Sequence, residues 1–357
     1  MSIWRWAERF SSVPAEHRIT LGEGETPLVR SRHIGPMAGA TELFFKLEGS
    51  NPTGSYKDRF AAAAMADMLA SGKRYCIATS SGNTGAALAA YCAAAGIGCD
   101  IAAVETAPLE KLKQMMAYGA RVYKVRGFGA DAAVTRDTFE RIAARGKQPG
   151  VALQISAFVH SPQGMGGVQT IAYELIEQMH GGIDDVFVPA GGGGLALAIA
   201  RGLQSSATPP RPRIHCVQPE GNPTIAGPLR DGAGRAQAVT CTTQISGLQV
   251  PAVLDGDDVI AACRASGGNG FLVTDEQVWL AQARLAREEG IFCEPAAAVS
   301  VAGALAAIES GEVEKRSRIV CIVTGTGFKD SSALDRMLRG VACPTVEPGR
   351  LPEIAEG

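Results

Sequence analysis

Short apolar runs alternate with longer alanine-rich stretches along most of the chain, and glycine, proline, serine or asparagine separates one from the next. The runs 43–47, 74–79, 99–104, 121–125 and 151–156 have strand length and strand composition. Between them, 60–69, 86–95, 108–118 and 131–144 have helical length. Gly96 stops one of these helices, and another carries proline in its first turn and Gly119 after its last. A second series continues the alternation, with helices over 169–179, 195–203, 275–289 and 296–309 and strands over 186–190, 214–219 and 319–324. Repeated strand–helix order predicts an α/β fold of parallel-rich, twisted sheets flanked by helices.

The series divides into two domains. A small α/β domain covers 58–160, and a large one is built from 1–57 together with 161–357. Residues 1–42 read as an irregular arm, 205–256 as the least regular segment, and the tail after about 340 as loosely attached. The length of 357 residues is enough for two cores. A formal charge of -2 gives neither nucleic acid nor an anionic membrane a reason to bind. Apolar stretches such as 86–97 are interrupted and too short to span a bilayer. The first six residues hold no apolar signal core, so a cytoplasmic protein is expected. Nine cysteines, an odd number with no CxxC pair, argue for reduced thiols and against a disulfide framework or a zinc site. Five dispersed histidines add no metal-ligand spacing, so no metal is expected.

Four turns follow strands, where open α/β sheets bind ligands. The first, 49–59, ends in Ser55-Tyr56-Lys57-Asp58-Arg59, and Ser55 with Asp58 fits a capping box that starts a helix. Lys57 then sits in the first helical turn, the wrong end of the dipole for a structural cation. That placement favours a neutral, nucleophilic amine. The second turn, Ser80-Ser81-Gly82-Asn83-Thr84-Gly85, offers hydroxyls, an amide and helix N–H groups to a carboxylate; an N-cap cluster would look the same. The third, Gly191-Gly192-Gly193-Gly194-Leu195, lets backbone amides approach a phosphate. It also satisfies G-x-G-x-x-A with Glu220 after the next strand, which leaves a nicotinamide dehydrogenase open as a reading. The fourth, 324–330, places the Thr324 hydroxyl at the end of a strand. A reactive lysine with a phosphate cradle suggests pyridoxal 5'-phosphate.

With these motifs in hand, the sequence resembles the fold-type II pyridoxal phosphate family: threonine synthases, serine/threonine dehydratases and their relatives. The likeness covers about residues 20–335 and rests on Asn51-Pro52-Thr53-Gly54-Ser55-Tyr56-Lys57-Asp58-Arg59, Ser81-Gly82-Asn83-Thr84, Gly290-Ile291-Phe292-Cys293-Glu294-Pro295-Ala296 and Thr324-Gly325-Thr326-Gly327. The resemblance implies Lys57 as the Schiff-base lysine, Asn83 beside the pyridine 3-oxygen and Thr324 at the ring nitrogen. It implies Gly191, Gly192, Gly193, Gly194 and Leu195 around the cofactor phosphate. Ser80, Ser81, Asn83 and Thr84 would hold the substrate carboxylate, with Lys57 and Ser81 as the catalytic residues. A hydroxyl at the ring nitrogen draws electrons less than a carboxylate partner would and favours prompt loss of a β-substituent.

One departure bears on the reaction. Threonine synthases hold the phosphate of phosphohomoserine with an Asn-Ser pair and an arginine. An ungapped reading puts Phe158 and Val159 in place of the pair and Gly164 in place of the arginine. A dianion is costly in an apolar pocket without partners. Phe158, Val159 and Met165 are therefore expected to form an apolar substrate wall. The expected activity is a β-eliminating dehydratase. It would convert threonine, serine or a bulkier aryl-serine such as phenylserine to a 2-keto acid and ammonia. Threonine synthase, or another β- or γ-replacement enzyme, is the alternative. The expected partner is a small amino acid, and the chain acts as a monomer or a homodimer without an appended regulatory domain.

Overall fold

A computed structural model of the chain describes residues 2–205 and 211–348. Among them, ten strands form two sheets: β1 Leu28–Arg30, β2 Leu43–Leu47, β3 Tyr75–Thr79, β4 Gly98–Val104, β5 Arg121–Val125, β6 Val151–Gln154, β7 Asp185–Pro189, β8 Arg213–Pro219, β9 Gly270–Val273 and β10 Ile319–Val323. The four-stranded sheet has the order β5-β4-β3-β6, with every pairing parallel. The six-stranded sheet has the order β1-β2-β10-β7-β8-β9, and β1 against β2 is its one antiparallel pairing.

Helices cover the large sheet, so its central strands are apolar without alternation, whereas burial alternates along β3 and β4 of the small one. Every residue of β7 and β10 is buried. The helix Pro295–Glu309 is buried along most of its length, and its small residues let it lie close to the large sheet. A Cβ at Gly303 would stand 2.5 Å from Val217 Cγ1, closer than any side chain tolerates.

Strand order fixes where ligands can enter. The chain leaves β3 for β4 and β5 on one side and returns to β6 on the other. It leaves β7 for β8 and β9 on one side and returns to β10 on the other. Each reversal opens a crevice at the carboxyl ends of the strands. Turns at both crevices line one cavity together with Lys57, the first residue of the helix Lys57–Ala70 that follows β2.

Behind that helix lies a buried ionic network. Arg59 Nε is 2.7 Å from Glu48, its Nη1 is 2.6 Å from Glu174, and Lys46 Nζ is 2.6 Å from the same Glu174. All four side chains are inaccessible or nearly so, and their formal charges cancel.

Two expectations need correction. The capping box does not form: the helix starts at Lys57 without a side-chain cap, and the Asp58 carboxylate accepts the Thr53 N–H at 2.9 Å instead. The helix expected over 169–179 also has another directly before it, Pro162–Val168, packed against Lys57–Ala70. Its three glycines hid it, since glycine is a poor helix former. In the least regular segment the helix Ala226–Arg230 lies between loops, and residues 206–210 are outside the described part. Of the tail, residues 341–348 are largely exposed, and 349–357 are outside the described residues.

Candidate active site

The two crevices merge into one cavity of about 440 Å³. Lys57, Ser80, Ser81, Asn83, Thr84, Gly191 through Leu195 and Thr324 all line it. The four turns separated in sequence therefore meet in space.

Lys57 is the first residue of its helix, and the turn before it is tied to the turn after β10. The Tyr56 N–H donates to the Thr324 carbonyl at 3.0 Å, and Ser55 forms an isolated bridge with Gly325. Lys57 Nζ donates to Ser156 Oγ at 2.7 Å and stands 4.4 Å from the centre of the Tyr56 ring. Burial lowers its pKa to about 7, and the carboxylates of Glu294 and Asp255 oppose that shift. The sequence reading gave the helix dipole as the cause; loss of solvent is the larger one.

The serine loop divides its work. Ser80 Oγ accepts the N–H groups of Gly82 at 3.2 Å and Gly85 at 2.8 Å. Ser81 Oγ accepts the Val104 N–H at 3.1 Å, which ties the loop to β4. The helix Asn83–Ala95 has glycine at its N-cap and no side-chain cap. The N–H groups of Asn83 and Thr84 take no partner among the described residues. They are free to bind a carboxylate.

At the far wall, Asn83 and Thr324 converge on a buried carboxyl. Asn83 Nδ2 donates to both oxygens of Glu294, at 2.9 and 3.0 Å, and Thr324 Oγ1 donates to Oε1 at 3.4 Å. Burial pushes the Glu294 carboxyl above its ordinary pKa, while the Asn83 amide, Lys329 and Lys111 pull it down.

The glycine loop fits a phosphate. Gly193 has φ +97°, the left-handed conformation that glycine takes without strain. A Cβ at Gly192 would lie 2.7 Å from Leu254 Cδ1, because the segment carrying Leu254 and Asp255 packs against the loop. Asp255 N–H donates to the Gly192 carbonyl at 3.0 Å. The N–H groups of residues 192–195 take no partner among the described residues and open the helix Gly194–Gln204, an anion nest at a helix N-terminus. An amine, a phosphate nest, an amide and a hydroxyl around one cavity fit pyridoxal 5'-phosphate.

Phe158, Val159 and Met165 do not line the cavity. Their chain turns away after Ser156 because the N–H groups of Phe158 and Val159 donate to the Asp255 carboxylate at 2.8 and 3.1 Å. Phe158 lies under the Arg201 guanidinium, 4.2 Å from the ring centre, and Val159 is 61% exposed. Met165 is buried behind Ser156, with its sulfur 3.5 Å from Ser156 Oγ. Gly164 packs into helix–helix contact, where a Cβ would meet the Phe60 ring at 2.6 Å.

The sequence reading gave no role to Ser156, Asp255 or Glu294. Glu294 stood inside a quoted motif, and only its burial marks it out. Asp255 lies in the least regular segment, which offered no signal for it. Among the described residues no helix is long and apolar enough to cross a membrane.

The family model described as "Pyridoxal-phosphate dependent enzyme" matches residues 19–325. The threonine synthase of Methanocaldococcus jannaschii is 34% identical over 346 residues, covering 94% of this chain and 82% of that one. The structure of maize serine racemase superimposes with a TM-score of 0.74 at 25% identity, covering 89% of this chain and 93% of that one. The processed form of threonine deaminase isoform 2 from Solanum lycopersicum has a TM-score of 0.74 at 24% identity, covering 96% and 94%, which is a likeness of fold. The G-x-G-x-x-A match is accordingly not a nicotinamide fingerprint, because the same loop shares its cavity with Lys57. The chain belongs to the pyridoxal phosphate-dependent enzymes of fold type II.

Proposed function

We propose that the protein is a dehydratase that eliminates water from an uncharged 3-hydroxy amino acid, giving a 2-keto acid and ammonia. The observation that carries the reading is the cationic lining of the cavity. No arginine lines it among the described residues. Its lysines besides Lys57 are Lys111 and Lys329. Lys111 is paired with Asp330 at 2.9 Å and also bonds Ser246, while Lys329 donates to Gln114 at 2.6 Å. A substrate phosphate would find no unengaged forked donor. A carboxylate has the Asn83 and Thr84 N–H groups.

When bound, the cofactor supplies an electron sink for the pair left at the substrate Cα. Gly191 through Leu195 would hold its phosphate, and Thr324 and Asn83 would meet the polar atoms of its ring. Ser80 and Ser81 set the loop on which the substrate carboxylate rests. The Lys57 amine, titrating near neutrality, removes the Cα proton, and the Ser156 hydroxyl fixes where that amine points. Hydroxide is a poor leaving group, so the β-oxygen needs a proton. The Lys57 ammonium can return one, and Ser81 keeps its own proton to donate because its oxygen already accepts from Val104. Loss of water leaves an enamine, which hydrolyses to the keto acid and ammonia.

With Phe158, Val159 and Met165 away from the cavity, its apolar surface comes from Val104 and Phe128 on one side and Leu248, Val250 and Leu254 on the other. Threonine, serine and phenylserine all suit such a wall. Burying an aryl group contributes about 1.5–3 kcal/mol, roughly tenfold to a hundredfold over serine, and the threonine methyl about 0.8 kcal/mol.

A replacement reaction on a phosphorylated substrate is the second reading, and the 34% identity to a protein named threonine synthase favours it. The cofactor-loaded enzyme is assayed for keto-acid release from threonine, serine and phenylserine, beside inorganic phosphate release from phosphohomoserine. Keto acid without phosphate release is expected. Efficient phosphate release with threonine as product would overturn the dehydratase reading.

A further inference from the structure

Cys76 on β3, Cys99 on β4 and Cys92 on the helix Asn83–Ala95 lie apart in sequence but bring their sulfurs together. The three Sγ atoms are within 4.8 Å of one another. Cys76 and Cys99 are register partners on adjacent parallel strands, and both face the helix layer. From the helix Lys57–Ala70, Met65 adds a fourth sulfur, 3.4 Å from Cys92 Sγ. All four side chains are buried in one apolar core. Scattered single cysteines gave no hint of this at the level of spacing, because four different elements supply the sulfurs.

Cysteine packs as a small hydrophobe in many cores. This cluster differs in holding three thiols within 4.8 Å of one another with a thioether beside one of them. Around an ion with metal–sulfur distances of about 2.3 Å, tetrahedral sulfurs lie about 3.8 Å apart. The three thiol sulfurs, within 4.8 Å of one another, reach that spacing by closing about 1 Å. Thiolate and thioether together select soft ions.

Charge decides which soft ion. No lysine, arginine or histidine acts on the three thiols; the charged group acting on Cys99 is the Asp100 carboxylate, which opposes a thiolate. Several unpaired thiolates in this core would be costly. One thiolate with one monovalent cation is neutral. A divalent ion would need a second thiolate to reach neutrality.

We propose that Cys76, Cys92 and Cys99, with Met65 as fourth donor, form a closed site for one soft monovalent cation of the Cu(I) type, distinct from the cofactor cavity. Binding forms one thiolate–metal bond within the trio and releases the proton of that thiol, with no change of oxidation state.

The test uses the cofactor-loaded enzyme carrying Cys241→Ser and Cys343→Ser, which removes the two cysteines with the most solvent access. Ag(I), a redox-silent probe of the same charge and closed shell, is added and the protein is desalted. Native mass spectrometry should then find one silver ion per chain, with a thiolate-to-metal absorption in the ultraviolet and a raised melting temperature. Cys99→Ser should lose the ion. Cys92→Ala, a mild change in an alanine-rich helix, should lose it too while keeping its cofactor absorption as a check on folding. The proposal is overturned if no ion is retained, if both variants retain it, if uptake unfolds the protein, or if the purified chain carries a disulfide between two of the three cysteines.

Discussion

Lys57 Nζ and Ser156 Oγ lie 2.7 Å apart, the one on the helix after β2 and the other just past the end of β6. This hydrogen bond crosses from the turn that carries the amine to the edge of the four-stranded sheet. It fixes the amine at the junction of the two crevices. An acceptor hydroxyl also favours the protonated amine, so its removal should lower the lysine pKa further.

Ser156→Ala is therefore expected to keep the cofactor and its visible absorption while turnover falls about tenfold to a hundredfold. The acid limb of the turnover profile should move to lower pH. An unchanged acid limb would show that the hydroxyl does not act on Lys57. Lys57→Ala, in contrast, should abolish both turnover and the cofactor's lysine-linked absorption and leave the fold intact.

The glycine loop can be tested by a pair of changes. In Gly192→Val the new side chain runs into Leu254, whose Cδ1 is 2.7 Å from the Cβ position. Cofactor affinity should fall at least tenfold. Adding Leu254→Ala makes room for the valine side chain, and the two changes should couple because the residues touch. If the double variant recovers affinity fully, the valine acts through packing alone. If it recovers stability but not affinity, the phosphate needs the room as well. Normal affinity in the single variant would place the phosphate elsewhere.

Much of this arrangement is legible in the sequence because each turn carries its own chemistry. Lys57, the 80–85 loop, the four glycines and Thr324 each follow an apolar run, and a parallel sheet brings such turns to one edge. The substrate wall was misread for an equally physical reason. Aligning Phe158 and Val159 by position assumes that the chain continues along the cavity. The Asp255 carboxylate, from a segment about a hundred residues later, turns it away by capping both N–H groups. Glu294 and the Cys76–Cys92–Cys99 cluster are products of tertiary packing and leave no periodic trace.

Arg59 tests the scaffold behind the lysine. Its guanidinium is shared between Glu48 and Glu174, and all three are inaccessible or nearly so. Arg59→Leu would leave two buried carboxylates with Lys46 as the remaining cation of the network. Breaking a buried pair from one side costs about 3–5 kcal/mol. Chemical denaturation should show a loss of that order. A loss below about 1 kcal/mol would mean that the network is already hydrated.

Asp58 makes stability depend on pH. Its Oδ2 accepts the Thr53 N–H, while Oδ1 has no partner among the described residues. Burial raises its pKa to about 7 from an ordinary 3.8. A raised carboxyl means that the folded state holds the proton more tightly than the unfolded chain. Between about pH 4 and 7 the folded form binds more protons, so stability falls as pH rises through that window. Asp58→Asn keeps an acceptor for Thr53 and removes the titration. Glu23, whose carboxyl burial also raises, is present in both proteins, so the difference between them isolates Asp58. Denaturant midpoints of the cofactor-loaded proteins, measured across the window, should show wild type losing ground to Asp58→Asn as pH rises. Parallel profiles would mean that Asp58 stays ionised in the fold, with Lys329 as its counter-charge.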